Sequence, residues 1–315
     1  MNSLILWMTD NHKFFDYTSI GKLNVNELFE TGQTTLDSSD KKTIHRFLEV
    51  GHSPIVNKLI YKEEKVDEWF SLLHQLILQS NFNVYALLKQ RAERFGDKPL
   101  FQTISANNIA STSYNDVWKL VQSIGSYFQS NLGKDDTIGI LTPNHLNGII
   151  LDLACLAYHI RIVPIPMNLS SDHLNYVLDH AEITHLFIGS DRARESLKDA
   201  KRSPSEFNAV QINNTEEWNG FLAKCRQSKI MNPPTKNLQS LTTVMYTSGT
   251  TDNPKGIIFN QENIITKRFA RALALPEIGS NDSFLCYLPL YHTFGRWFEM
   301  MGSIFWGATY TFTQS

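Results

Sequence analysis

The stretch Thr243-Val-Met-Tyr-Thr-Ser-Gly-Thr-Thr-Asp-Asn-Pro-Lys-Gly-Ile257 changes character a third of the way along. Its opening residues are β-branched or apolar and predict a buried strand. Hydroxyls then take over: Thr247, Ser248, Thr250 and Thr251 surround Gly249, and Lys255-Gly256 follows Pro254. Hydroxyls and glycine-exposed N–H groups make a nest for anionic oxygens, with no carboxylate needed. Lys255 adds a mobile point charge for the same oxygens. A plain strand-to-helix turn rich in Ser and Thr is the alternative. The length of Tyr-Thr-Ser-Gly-Thr-Thr-x-x-Pro-Lys-Gly weighs against it. The stretch is not a Walker loop, which needs Gly-x-x-x-x-Gly-Lys-Ser/Thr opening a helix; here Lys255 precedes its glycine.

Working back from this loop, strands alternate with helices. Residues 137–142, 161–165 and 185–188 read as strands. Residues 146–158, a segment through Leu178 capped by Ser171, and 191–200 read as helices. Such alternation predicts an α/β fold with a parallel or mixed sheet flanked by helices on both faces. Ligands of such sheets sit beyond the carboxyl ends of strands, where the 246–256 loop falls. Further back, Val84, Leu87, Leu88, Ala92 and Phe95 recur at helical spacing and stop at Gly96. Residues 100–104 and 109–113 suggest a hairpin around Asn107-Asn108, and Ser113 can cap a helix carrying Val117, Trp118, Val121, Ile124 and Phe128. Residues 201–240 hold a weak strand and helix. Beyond the loop, Asn260 caps a helix with Ile264, Ile265, Phe269 and Ala272.

A boundary near residues 80–83 divides an N-terminal extension, 1–82, from the α/β region, 83–315. The extension carries no recognisable chemistry. Its clearest element is a helix with Trp69, Leu72, Leu73, Leu76 and Ile77 on one stripe. His45, His52 and His74 share no metal-ligand spacing and read as surface or packing residues.

The chain has 315 residues, 42% hydrophobic content and a net charge of −2. That is enough for two domains or one large α/β domain with a sizeable core. No basic stripe favours nucleic acid. Cys155, Cys225 and Cys286 form no Cys-x-x-Cys pair and read as core residues, with neither zinc nor a disulfide framework implied. A reducing, cytoplasmic compartment is the simplest expectation. The apolar start has no basic lead and meets Asp10 at once, a poor signal peptide. No uncharged apolar run reaches the length of a membrane span, and a peripheral membrane contact is left open.

A second constellation, Leu288-Pro-Leu-Tyr-His-Thr-Phe-Gly-Arg296, lies where a strand turns into a helix carrying Trp297, Phe298, Met300, Met301, Ile304 and Phe305. Alone, His292 would be an ordinary loop histidine and the methionines core filling. Together the two motifs resemble the adenylate-forming superfamily: acyl-CoA synthetases, luciferases and peptide-synthetase adenylation domains. The segment from Arg296 onward is most similar to long-chain acyl-CoA synthetases, and the resemblance runs from about residue 83 to the end. It implies the N-terminal part of an acyl-CoA synthetase-like large domain. It implies ATP, Mg2+ and coenzyme A, with a fatty acid as the acid to be activated. Thr247, Ser248, Gly249, Thr250, Thr251 and Lys255 would hold the β- and γ-phosphates, and His292 would face the acyl carboxylate. No magnesium ligand is assigned in this sequence.

Two departures from the family pattern stand out. The family places glycine or serine where this chain has Asp252. A carboxylate ~4 Å from a phosphate charge costs about 1 kcal/mol in water and about 4 kcal/mol at an effective dielectric of 20. Asp252 turned outward in a left-handed turn position would avoid that cost. The family's Tyr-Gly-x-Thr-Glu motif, its ribose-binding aspartate and its mobile C-terminal domain have no counterpart here. The expectation is therefore a front part of such an enzyme, inactive or nearly so alone, whose partner would be the missing C-terminal half. The alternatives are a non-catalytic remnant or binding subunit, and an adenylation domain for an amino or aryl acid.

Overall fold

In the computed structural model, residues 24–105, 108–247 and 253–313 are described. A six-stranded sheet carries the predicted α/β region. In chain order its strands are β3 (Ile138–Leu141), β4 (Ile162–Pro164), β5 (His185–Ile188), β6 (Val210–Gln211), β7 (Leu241–Thr247) and β8 (Lys255–Asn260). Their spatial order is β6-β5-β3-β4-β7-β8. The first five run parallel, with Ile138 opposite both Ile162 and His185, and Ile162 opposite Thr243. β8 returns antiparallel to β7, which makes the sheet mixed.

The pleat sorts side chains onto two faces. Ile138, Ile140, Ile162 and Met245 enter the larger core, with helices α6 (Tyr114–Asn131) and α7 (Leu146–Ala157). Leu141, Val163, Ile165 and Tyr246 enter a smaller core beneath α8 (Ser171–His180) and α9 (Asp191–Asp199). α7 is buried along its length from Gly148 to Ala157, which is why it reads as a continuous apolar run. One cap differs from the sequence reading. Ser170, not Ser171, accepts the bond from the His173 amide, so the helix begins one residue earlier than its predicted cap implied. Two adjacent serines offer the same side-chain chemistry, and local spacing does not choose between them.

A second sheet, ordered β2-β1-β10-β9, uses β1 (Pro99–Ser105), β2 (Asn108–Ser113), β9 (Ser283–Leu285) and β10 (Thr309–Thr313). The predicted hairpin is β1 with β2, Gln102 lying opposite Ser111. β10 lies parallel to both β1 and β9, with Tyr310 opposite Phe101 and Phe284.

Among the described residues four helices precede this region: α1 (Val25–Asp37), α2 (Lys41–Gly51), α3 (Pro54–Lys62) and α4 (Val66–Ser80). α4 buries the predicted stripe of Trp69, Leu72, Leu73, Leu76 and Ile77. It ends at Asn81 in the left-handed conformation, and Asn83 then caps α5 (Val84–Phe95). These helices share the larger core with the sheet region. Polar ties reinforce the packing: Asn57 donates to the Ala272 carbonyl at 3.0 Å. Gln261, at the start of α11 (Gln261–Ala274), accepts from the Val84 amide and donates to the Leu156 carbonyl. The weak strand and helix expected in 201–240 are β6 and α10 (Thr215–Gln227). Among the described residues no helix is long and apolar enough to cross a membrane.

Candidate functional site

β7 delivers Thr247 to the carboxyl edge of the six-stranded sheet. The strand is held firmly below that point. Thr243 donates to the Ile162 carbonyl at 2.6 Å, and the Tyr246 hydroxyl meets His180 Nδ1 at 2.7 Å. Burial pushes the Tyr246 phenol up to about 12, so it stays neutral and keeps that bond. Gly256 lies opposite Tyr246, and a Cβ there would sit 2.9 Å from Val244 Cγ1. The missing side chain lets β8 close tightly on β7.

Lys255 is the first residue of β8 and pairs directly with Thr247, whose hydroxyl lies 3.5 Å from the Lys255 carbonyl. The sequence reading put Lys255 and Gly256 at the end of the 246–256 loop; the structure makes them the start of an edge strand. Both side chains are exposed. Ser248, Gly249, Thr250, Thr251 and Asp252 lie outside the described residues.

The second motif packs against the same sheet face. Residues Phe294–Met300 form a π-helix, followed by α12 (Met301–Trp306). Arg296 is 1% exposed. It donates to both Asp152 carboxylate oxygens of α7, at 2.8 and 2.5 Å, and to the Thr243 hydroxyl of β7 at 2.9 Å. Trp297 packs on Phe259 of β8 with ring centroids 5.3 Å apart. Phe259 lies opposite Thr243, and Lys255 opposite Thr247. By strand alternation these two pairs project from one face, four residues or about 13 Å apart. Thr247 and Lys255 therefore stand on the face that carries the His292 element, towards its open carboxyl edge.

The turn holding His292 is clamped from the loop after β3. Asn144 donates to the Leu288 carbonyl at 2.9 Å and accepts from the Leu290 amide at 2.9 Å. Asn144 Nδ2 also lies 3.2 Å from Cys286 Sγ, whose thiol burial pushes up to about 11. Glu299 accepts from the Leu288 amide and from the Tyr310 hydroxyl. The His292 amide donates to the Pro289 carbonyl, and its Nδ1 accepts from the Phe294 amide at 3.3 Å. With Nδ1 accepting, a neutral imidazole carries its proton on Nε2. His292 is exposed, so that N–H is available to a carboxylate oxygen.

The structure thus places Thr247 and Lys255 on the sheet face against which the helix following His292 packs, and joins neither of them to His292 by a hydrogen bond among the described residues. Four cavities of 270 to 670 Å³ lie elsewhere on the described surface. Among the described residues no group of three His, Cys, Asp or Glu could hold a metal ion. A nucleotide tail does fit the residues present: Thr247 and Lys255 offer a hydroxyl and an ammonium side by side. Asn144, Asp152 and Glu299 are positioning residues the sequence reading did not single out. Only Asn144 had a local cue, since it sits in a loop beyond a parallel strand's carboxyl end.

Residues 88–315 match the family described as AMP-binding enzyme. Long chain acyl-CoA synthetase 3 of Arabidopsis thaliana is 31% identical over 209 residues, covering 59% of this chain and 31% of that protein. Long-chain-fatty-acid–CoA ligase 1 of Schizosaccharomyces pombe is 26% identical over 212 residues, covering 62% of this chain and 31% of its own. Among solved structures, a long-chain-fatty-acid-CoA ligase from Archaeoglobus fulgidus superposes with a TM-score of 0.61 at 18% identity, over 73% of this chain and 46% of that one. A red-emitting luciferase from Phrixothrix hirtus gives 0.63 at 18% identity, over 74% and 59%. The two structural likenesses speak for the fold. The chain spans about a third of the length of the curated relatives it matches.

Proposed function

The chain belongs to the AMP-binding enzyme family, and from that premise we propose that it supplies the front part of an ATP-dependent acid:CoA ligase acting on long-chain fatty acids. In the proposed reaction a carboxylate oxygen attacks the α-phosphorus of ATP. The bond to the pyrophosphate oxygen breaks, giving acyl-adenylate and pyrophosphate. The thiol of coenzyme A then displaces AMP, forming the thioester. Thr247 and Lys255, with the intervening loop, would hold the β- and γ-phosphates, and His292 Nε2–H would donate to the acid. The relatives named as long-chain synthetases support the choice of acid.

The observation that carries this reading is the placement of the Thr247–Lys255 pair on the sheet face against which the helix following His292 packs. Catalysis of this kind is largely positioning and charge stabilisation. A chain spanning about a third of its relatives' length should therefore hold a grip on nucleotide but little of the rate. The test is ATP binding by calorimetry alongside ATP–pyrophosphate exchange with palmitate. ATP binding weakened about tenfold by Lys255→Met, with exchange near background, supports the reading. ATP binding indifferent to Lys255→Met sinks it. A panel of amino and aryl acids in the exchange assay, run with the downstream portion of a related synthetase supplied, separates the other adenylation chemistries.

Asp252 favours a second reading, a non-catalytic remnant or binding subunit. If exchange still fails with that portion supplied, and Asp252→Gly restores it, the defect belongs to that carboxylate. If neither restores exchange, the remnant reading holds.

A further inference from the structure

At the opposite edge of the sheet, the amino ends of β3, β4 and β7 surround a cavity of about 300 Å³. It lies a full β7 length, about 20 Å, from the Thr247 edge. Three cations line it: Lys134, Arg161 and Lys236. One carboxylate joins them, Asp136, and it is already engaged by the Gly133 amide at 2.6 Å and by His185 at 3.9 Å. Glu182, 3.9 Å from Arg161, is 78% exposed and screened by water. The cations are thus under-neutralised, and burial, with the charge of Arg161, holds the Lys236 ammonium below its ordinary range.

His159 lines the same cavity. It is 4% exposed, yet neither ring nitrogen has a hydrogen-bond partner among the described residues. Its backbone is left-handed, with φ at 56°, a conformation that costs a non-glycine residue free energy. Lys236 donates to its carbonyl at 2.9 Å, which ties the His159 backbone to the ammonium. Burial and the Lys236 charge hold its imidazole down to about 4, so it is neutral, with one N–H to donate and one lone pair to fill. Buried polar groups without partners are uncommon, and each calls for a ligand, a water or a function. Phe128, Leu132 and Ile160 make part of the remaining wall apolar, beside Gln129 and Tyr158.

We propose that this cavity is a second anion site, distinct from the nucleotide grip, taking a phosphoryl oxyanion either free or carried on a small molecule with a short apolar group. Lys134, Arg161 and Lys236 would neutralise it, with the covered His159 ring behind them. A volume of 300 Å³ exceeds what one phosphate fills, and the apolar part of the wall favours a carried group.

The test is calorimetric titration of the Lys255→Met chain, in which the other phosphate site is disabled. The probes are inorganic phosphate and butyl phosphate, and hydrogen exchange locates the contact. One-to-one saturable binding is expected, with slowed exchange in residues 133–137 and 158–161. Lys134→Met and Lys236→Met should each weaken binding about tenfold, as loss of a charge-assisted bond does. Lys134 is exposed, so that variant tests the site even if Lys236→Met disturbs folding. Tighter binding of butyl phosphate identifies the carried form, and equal affinities the free ion; either supports the site. No saturable binding, or binding unchanged in both lysine variants, overturns it.

Discussion

Asp152→Ala should be among the most damaging single substitutions that touch no substrate. Arg296 is 1% exposed and Asp152 7% exposed, and two charge-assisted bonds join them. Removing the carboxylate leaves the guanidinium with the Thr243 hydroxyl and the Trp297 ring, whose plane it approaches at 4.4 Å to the centroid. Breaking a buried pair by deleting one partner costs about 3–5 kcal/mol, because the survivor stays buried and uncompensated. With an m-value of about 3 kcal/mol/M in urea, the midpoint should fall by roughly 1–1.7 M. Thr243→Val removes one neutral acceptor from the same guanidinium and should cost about 1.5–3 kcal/mol. The decisive variant is the double replacement Asp152→Leu with Arg296→Met. Apolar substitution of a whole buried pair is often neutral, so the double variant should recover most of what Asp152→Ala loses. A cost below ~1 kcal/mol for Asp152→Ala, or a double variant as unstable as the sum of its singles, would show that the pair does not anchor the π-helix to α7 and β7.

Other expectations follow from single residues. Asn144→Ala removes both bonds that clamp the His292 turn, so amide exchange at Leu290 should accelerate by about tenfold or more, corresponding to roughly 1.5–3 kcal/mol; unchanged exchange would show the clamp to be idle. Gly307→Ala should cost more than about 2 kcal/mol, since φ is +76° and a Cβ would lie 2.1 Å from the Phe95 ring. Gly220→Ala, in the middle of α10 with nothing within 4 Å, should instead stabilise by about 0.5–1 kcal/mol; urea midpoints that moved the same way for both would contradict the packing. His45 is held down to about 4 by burial. Its folded value lies below its unfolded one, so its contribution is intact above pH ~6.5 and is lost as pH falls towards 4. Between pH 7 and pH 5 the loss should be about 2 kcal/mol, and His45→Gln should flatten that slope in urea titrations at the two pH values.

Local patterns in the chain determined a good deal. The α4 stripe, the α5 stop at Gly96, the caps at Ser113 and Asn260, and the strand–helix alternation from residue 137 onward are set by side-chain periodicity and capping chemistry within one or two turns. The two motifs were legible for the same reason, since each is a short run whose residue types already state a chemistry. Other features were decided only when distant segments met. Pairing of β7 with β8 turned an apparent loop end into the edge strand that sets Lys255 beside Thr247. β10 joined β1 across more than 200 residues. Asp152, Thr243 and Arg296 came together from three elements, and Asn144 reached 144 residues forward to hold the His292 turn. A buried charge needs a partner wherever the chain can supply one, and sequence spacing carries no record of which residue that will be. The tertiary structure chose it by closing the sheet and packing the π-helix against it.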